Sequence, residues 1–204
     1  MIDTLLSFSF ATLVLAVSPG PDNIYVLSQS LAHGMKSGIA TTTGLISGCI
    51  VHTSLLAFGV SALITESPNL FYGLKVFGAL YLLFLAYKVL RSNGTVSLSG
   101  NVPKKTSEQL FKQGVIMNLL NPKVMIFFLA FFPAFLWDPK GEAVLQFYIL
   151  GVTFMIVSFA VFSIIAILSG SISRLLKRQP KIPIILNWFQ IIVFVGIAIF
   201  ILIP

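Results

Sequence analysis

The feature that most restricts this chain is the hexapeptide Ser18-Pro19-Gly20-Pro21-Asp22-Asn23, set inside an apolar run from about Thr4 to Leu31. Pro19 and Pro21 carry no N–H, so the carbonyls of Leu15 and Val17 lose their helical donors. Each proline also drives the residue before it, Ser18 and Gly20, out of helical geometry. In hydrocarbon, freed carbonyls and a carboxylate survive only where protein or a wet cavity surrounds them. The run therefore predicts two half-helices meeting at a polar cavity, and the chain is built around it.

That the setting is hydrocarbon follows from composition. Of 204 residues, 57% are hydrophobic and 9% charged, with mean hydropathy +0.99, whereas soluble domains carry about 25% charged residues. No polar stretch is long enough for an aqueous domain, so residues 1–204 read as a single transmembrane domain. A bilayer core of about 30 Å asks for about 20 apolar residues per helix. Six runs meet that demand: about Thr4 to Leu31, Gly38 to Ile64, Leu70 to Leu90, Phe111 to Leu136, Ala143 to Ser169 and Pro183 to Ile203. The fourth is broken near its centre by Asn121-Pro122-Lys123. Short turns join them at His33 to Lys36, Thr65 to Asn69 and Trp137 to Glu142. A polar connection spans 92–110, and a basic loop runs from Arg174 to Lys181. Met1-Ile2-Asp3 lacks a basic region and no small-residue cleavage pattern follows, so a cleaved signal peptide is not expected. Cys49 alone permits neither an internal disulfide nor a two-cysteine relay.

The net charge of +7 is a topology signal, not a nucleic-acid patch, because the bases lie between spans. With the N-terminus outside, inner loops hold Lys36, Lys88, Arg91, Lys104, Lys105, Lys112, Arg174, Lys177, Arg178 and Lys181. Outer loops hold Lys140 with the acidic Asp3, Glu66, Asp138 and Glu142. Both termini are thus expected outside, with anionic lipid headgroups as further neighbours of the inner bases. Each half has three spans, the first interrupted by a proline motif at mid-depth. The second half must enter from the opposite side, as in an inverted repeat. The expected fold is an all-α integral membrane protein. Its six transmembrane helices form a 3+3 inverted repeat (about 1–91 and 111–204) with broken first and fourth helices.

Asp22 is the sharpest chemical signal, since a carboxylate inside a span is costly and points to function. Pro21 suits the first position of the second half-helix. The amides of Asn23, Ile24 and Tyr25 would then face the cavity as a positive helix end. The plainer alternative is that Asp22 only caps this helix. Lys123 is its counterpart. Pro122 frees the carbonyl of Asn118 and moves Asn121 off helical geometry. On an unbroken helix Asn118 and Pro122 share a face that Lys123 does not, so only a break brings all of them together. Lys123 is expected in the cavity or paired with Asp22; snorkelling would have to cover roughly 18 Å.

Thr41, Gly44, Ser47, Gly48 and His52 form one stripe of the second span. Gly44 and Gly48 suit close helix packing, within the chain or between copies of it, so a homo-oligomer stays open. Thr41 and Ser47 either line a path or bond their own backbone. His52 either relays protons or is packed and neutral. Lys75 is expected to snorkel, and the phenylalanines to pack. Ser47 and His52, five apart on one helix, do not face each other as nucleophile and base. Asp22 is the only deep carboxylate, and no residues have metal-ligand spacing. No enzyme, metal or cofactor is expected.

Ser18-Pro19-Gly20-Pro21-Asp22-Asn23, with Gly34 through Gly38 and Gly44 through Gly48, resembles the first repeat of the lysine exporter/RhtB family of amino-acid exporters. Phe111-Lys112-Gln113-Gly114 through Asn118-Leu119-Leu120-Asn121-Pro122-Lys123, then Phe127-Phe128 and Pro133, resembles its second hallmark. The resemblance covers the whole chain. It implies a multi-pass exporter of amino acids or their derivatives in a bacterial inner membrane, driven by proton antiport, without naming the substrate. Two other classes are a transporter of another solute such as a metal cation, and a non-transporting scaffold. One carboxylate opposed by a lysine is a weak set of hard-cation ligands, and a scaffold leaves both mid-membrane breaks unexplained.

Overall fold

A computed structural model describes residues 1–61, 67–91, 102–138, 141–179 and 181–203. Glu66, Lys140 and most of the polar connection (92–101), on which part of the charge asymmetry rests, lie outside the described residues. The described chain folds into nine α-helices. The N-terminal four are α1 (Ile2–Val17), α2 (Pro21–His33), α3 (Met35–Leu55, extended by one π turn at Leu56–Val60) and α4 (Pro68–Arg91). The others are α5 (Ser107–Leu119), α6 (Pro122–Phe131, closed by a 3-10 turn at Phe132–Phe135), α7 (Ala143–Ile167), α8 (Ser169–Arg178) and α9 (Ile182–Leu202).

Both proline motifs break the helix as expected. The axes of α1 and α2 meet at 61°, and those of α5 and α6 at 53°. Four helices are long and apolar enough to cross a membrane alone, and the total is six if each bent pair crosses as one span. Large apolar side chains such as Phe10, Phe77, Leu80, Ile156 and Ile192 point outward. A soluble surface does not tolerate so much exposed hydrocarbon.

Two boundaries differ from the sequence reading for local reasons. Helix α5 starts at Ser107, before the apolar run, because Thr106 and Gln109 form a reciprocal capping box. Gln109 N donates to Thr106 Oγ1 at 3.2 Å and Thr106 N donates to Gln109 Oε1 at 3.0 Å. The basic segment after the fifth span is not a plain loop. Arg174 and Arg178 end helix α8, whose opposite face carries Ile172, Leu175 and Leu176. At 100° per residue these sets separate onto two sides, the pattern of a helix lying along a membrane surface.

The core lies where α1, α6 and α7 meet. Phe8, Phe127, Phe128, Phe131, Phe132 and Phe135 are all buried there. Phe128 stacks on Phe132 at 4.1 Å and Phe127 on Phe131 at 4.4 Å, while Phe8 meets Phe132 edge-on at 4.9 Å. A smaller cluster of Val26, Leu45, Val161, Phe162 and Ala166 joins α2, α3 and α7. The tightest seam is α3 against α5, and the glycine stripe explains it. A Cβ on Gly44 would strike the backbone carbonyl of Phe111, one on Gly48 would stand 2.6 Å from Asn118 Oδ1, and one on Gly114 would strike the Thr41 carbonyl. Close helix packing is thus the role of Gly44 and Gly48.

Gly44→Ala should therefore destabilise, despite the roughly 1 kcal/mol that alanine gains over glycine in a helix. The obstructing atom is backbone and cannot swing aside, so overpacking of about 1–3 kcal/mol should prevail. Thermal unfolding of the purified protein should show a lowered midpoint for Gly44→Ala. The matched Gly73→Ala, whose new methyl meets nothing within 4 Å, should show no loss.

Candidate functional site

Between the two hydrophobic clusters lies a cavity of about 40 Å³, walled by both helix breaks and by α3 and α7, with the polar groups of the breaks set among apolar side chains. Its polar groups are in place because each break leaves backbone atoms to satisfy. The carbonyl of Ala16 has lost its partner at the end of α1, and Asn23 Nδ2 donates to it at 2.7 Å. The carbonyl of Asn118, freed by Pro122, accepts from Asn121 N at 3.1 Å. His52 Nε2 stands 3.3 Å from the same oxygen. His52 is buried, with its ring 5.4 Å from that of Phe128. Its packed position fits the bonded-histidine alternative, and it is not on the cavity wall.

The two breaks are built alike. Gly20 and Asn121 occupy the cap positions, Pro21 and Pro122 the first helical positions, and Asp22 and Lys123 the second. Asn121 connects the two: its Oδ1 accepts from Lys123 N at 3.0 Å, and its Nδ2 donates to Asp22 Oδ2 at 2.9 Å. Asp22 is thus held by a residue of the other break. Gly20, not Asp22, occupies the cap position, and Asp22 lies on the cavity wall. Ile24 N donates to the carbonyl of Gly20 at 3.0 Å. The free amides of this helix start are therefore those of Asp22 and Asn23, and the expected contribution of Ile24 and Tyr25 is corrected, because the helical ladder consumes theirs.

Lys123 stays within the protein. Its ammonium lies 5.2 Å from the centre of the Phe194 ring and close to Gly20, where a Cβ would stand 3.3 Å away. Among the described residues no direct ion pair joins it to Asp22; the only such pair is Lys112 with Glu108 at 2.7 Å on the surface. A cation at a helix N-terminus opposes the helix dipole. Its compensation here is the aromatic face of Phe194.

The structure thus brings Gly20, Pro21, Asp22, Asn23, Asn118, Asn121 and Lys123 to one wall. It leaves Pro19 on an apolar outer groove and Pro122 exposed behind the break. Thr41 and Ser47 donate to the carbonyls of Ser37 and Thr43 at 3.0 and 2.8 Å, so they serve their own helix. Three lining groups escaped sequence reasoning. Cys49 accepts from Asn118 Nδ2 at 3.5 Å. Phe154 closes the cavity against the phenylalanine cluster, 4.9 Å from Phe128. Ser158 on α7 is buried, and neither its Oγ nor Asn118 Oδ1 has a protein partner. A lone serine in the run Phe154 to Phe162 was the one available signal. A carboxylate, an ammonium, an orphaned amide oxygen and an orphaned hydroxyl thus line one cavity.

Broken helices meeting at a charged internal cavity, within a bundle whose outer surface is apolar, define a multi-pass membrane transport protein. The model of the family described as LysE type translocator matches residues 13–204, and this chain belongs to that family. The leucine efflux protein of Enterobacter sp. (strain 638) is 33% identical over 184 residues, covering 88% of this chain and 86% of that protein. The homoserine/homoserine lactone efflux protein of Salmonella typhimurium (strain LT2) is 32% identical over 175 residues, 86% of this chain and 84% of its own. No solved structure matches. The family is one of translocators and not of enzymes.

Asn121 should be the residue whose loss the site feels most in stability. Asn121→Leu leaves a buried carboxylate without its donor, about 1–3 kcal/mol, and removes a cap worth about 1 kcal/mol. Asn121→Asp keeps the cap acceptor but loses the donor and sets a second carboxyl against that of Asp22. Thermal unfolding should rank the stabilities as wild type, then Asn121→Asp and Asn121→Leu, both clearly lower.

Proposed function

We propose that this protein is a secondary active exporter of amino acids or amino-acid derivatives across a bacterial inner membrane, exchanging substrate outward for protons inward. The observation that carries the reading is the placement of Asp22 and Lys123 at matching positions of two broken helices on one cavity wall. The two amino-acid efflux relatives support it. Leucine and homoserine, named for those proteins, share an α-ammonium and an α-carboxylate. In this chain the ammonium would be taken by Asp22, oriented by Asn121. The carboxylate would be taken by Lys123 and by the free amides at the start of α2.

A cavity of about 40 Å³ holds a water or two, not an amino acid, so the helices around it must part for substrate to enter. The half-helices other than α5 are the parts to move, because α5 is locked to α3 by glycine packing. A proton reaching Asp22 from outside cancels its charge, weakens its hold on the ammonium and favours release there. Return of that proton to the inside restores the carboxylate for the next substrate.

The inverted 3+3 repeat is part of the same reading. The matched cap, proline and charge positions support it, as do reciprocal packings: α3 against α5, α7 against α1, and α4 against α9. The repeat makes one transmembrane domain, with the basic loops inside and both termini outside. On α8, Arg174 and Arg178 are exposed where they would meet anionic headgroups.

The test is efflux from vesicles or proteoliposomes loaded with labelled leucine or homoserine under an imposed pH gradient. A charge-assisted contact is worth about 1.5–3 kcal/mol, roughly a ten- to hundredfold effect. Asp22→Asn should retain little efflux and should lose its response to the gradient. Lys123→Met should raise the substrate concentration needed for half-maximal efflux. Full gradient-coupled efflux by Asp22→Asn would remove the carboxylate from the mechanism.

A further inference from the structure

Helix α2 leaves the cavity with polar side chains on its inner face, and several of their atoms have no protein partner. The hydroxyl of Tyr25, Oε1 of Gln29 and Oγ of Ser30 are buried without a hydrogen bond, and so is Oγ1 of Thr42 on the facing helix α3. Gln29, Ser30 and Thr42 are 1%, 4% and 0% exposed. Hydroxyls on exposed or half-exposed faces are satisfied within their own helix. Thr43, Ser54 and Thr153 each donate to the carbonyl four residues back, at 2.9, 2.9 and 2.8 Å. Buried orphans also occur at Thr12 on α1, Thr53 on α3, and Ser158 and Ser163 on α7; Tyr25, Gln29, Ser30 and Thr42 differ in following one another along two facing helices.

Their placement is consistent along the chain. Asp22, Tyr25 and Gln29 share a face of α2, three and then four residues apart. Thr42 and Cys49, seven apart, share a face of α3, and Cys49 lines the cavity. The two helices run antiparallel from Gly34, whose φ of +86° makes the tight reversal. Their register is fixed where a Cβ on Gly38 would strike Ser30 Oγ and stand 2.8 Å from Ala166. Counting back from that contact puts Thr42 level with Tyr25 and Val26. The column from Asp22 to Gln29 is about 10 Å long at 1.5 Å per residue. The matching face of α6 beyond Lys123 carries Phe127, Phe128 and Phe131 instead.

We propose that Tyr25, Gln29, Ser30 and Thr42 form a hydrated seam between α2 and α3, the passage by which the Asp22 cavity communicates with the membrane face bearing the Gly34 turn. Buried polar atoms are nearly always satisfied, and water is the partner that fits when protein supplies none. The seam narrows where Ser30 and Ala166 close on Gly38, and it ends at His33, whose Nε2 lies 2.8 Å from the carbonyl of Val102. The inference rests on the exporter reading for its purpose, but not for its measurement, because wetness can be read without transport.

The experiment is cysteine accessibility in lipid vesicles. A small cationic methanethiosulfonate is applied from the Gly34-turn side, and labelling is read peptide by peptide so that Cys49 stays in place. Gln29→Cys and Thr42→Cys should react at least roughly tenfold faster than Thr43→Cys, because only a hydrated thiol ionises and reacts. Thr43 is exposed on the outer surface of the bundle and would face lipid. Radiolytic hydroxyl-radical labelling of the unaltered protein in nanodiscs gives a second reading that needs no variant. Tyr25 should be oxidised faster than the outward-facing Phe77. Equal slow labelling at 29, 42 and 43, or a protected Tyr25, would overturn the seam even if efflux of amino acids is intact. Rapid labelling in a protein that exports no amino acid would keep the seam and overturn the exporter reading alone.

Discussion

The structure depends on one constraint: a helix interrupted in an apolar interior must find new partners for the peptide groups it exposes. Two interruptions here are solved mostly by side chains. Asn23 takes the Ala16 carbonyl, His52 lies against that of Asn118, and Asn121 caps its own half-helix while reaching across to Asp22. The same polar residues that make the breaks tolerable also furnish the cavity. Fold and site are one problem in this protein, because removing either set of partners leaves unmet hydrogen-bonding groups in a medium without water.

The two half-helices that leave the cavity are chemically unlike, and this gives the bundle a direction. Helix α6 is followed by phenylalanines that stack with Phe8 and Phe154 into a closed aromatic block. Helix α2 carries Tyr25, Gln29 and Ser30 toward α3. Stacked rings exclude water and hold their shape, whereas a polar seam without internal partners is only loosely bound. The glycine contact of α3 with α5 is a rigid spine beside both. The helices meet at the two elbows at 61° and 53° over a few residues.

Much of this was legible beforehand. Prolines at 19, 21 and 122 dictate where helices stop, because a missing N–H is a local fact that no packing can restore. The apolar runs and the bases between them gave the span pattern, and Gly44 and Gly48 announced a close approach. Less was visible where the outcome depended on neighbours. The start of α5 lies in a polar capping box outside the apolar run, and α8 looked like a loop because its ten residues alternate by helical face, not by block. Ser158 and Phe154 belong to a span that reads as uniformly apolar, and only the helix rotation turns them to the cavity.

By itself the sequence determined that two helices break, where they break, and that a carboxylate and an ammonium follow at matching positions. These are consequences of bonds each residue can or cannot make within its own turn. The tertiary structure decided that Asp22 is held by Asn121 and not by Lys123, that Lys123 rests over Phe194, and that Thr41, Ser47 and His52 stand off the cavity wall. Those outcomes turn on how far and at what angle one helix stands from another, which is set by the packing of side chains far apart in the chain.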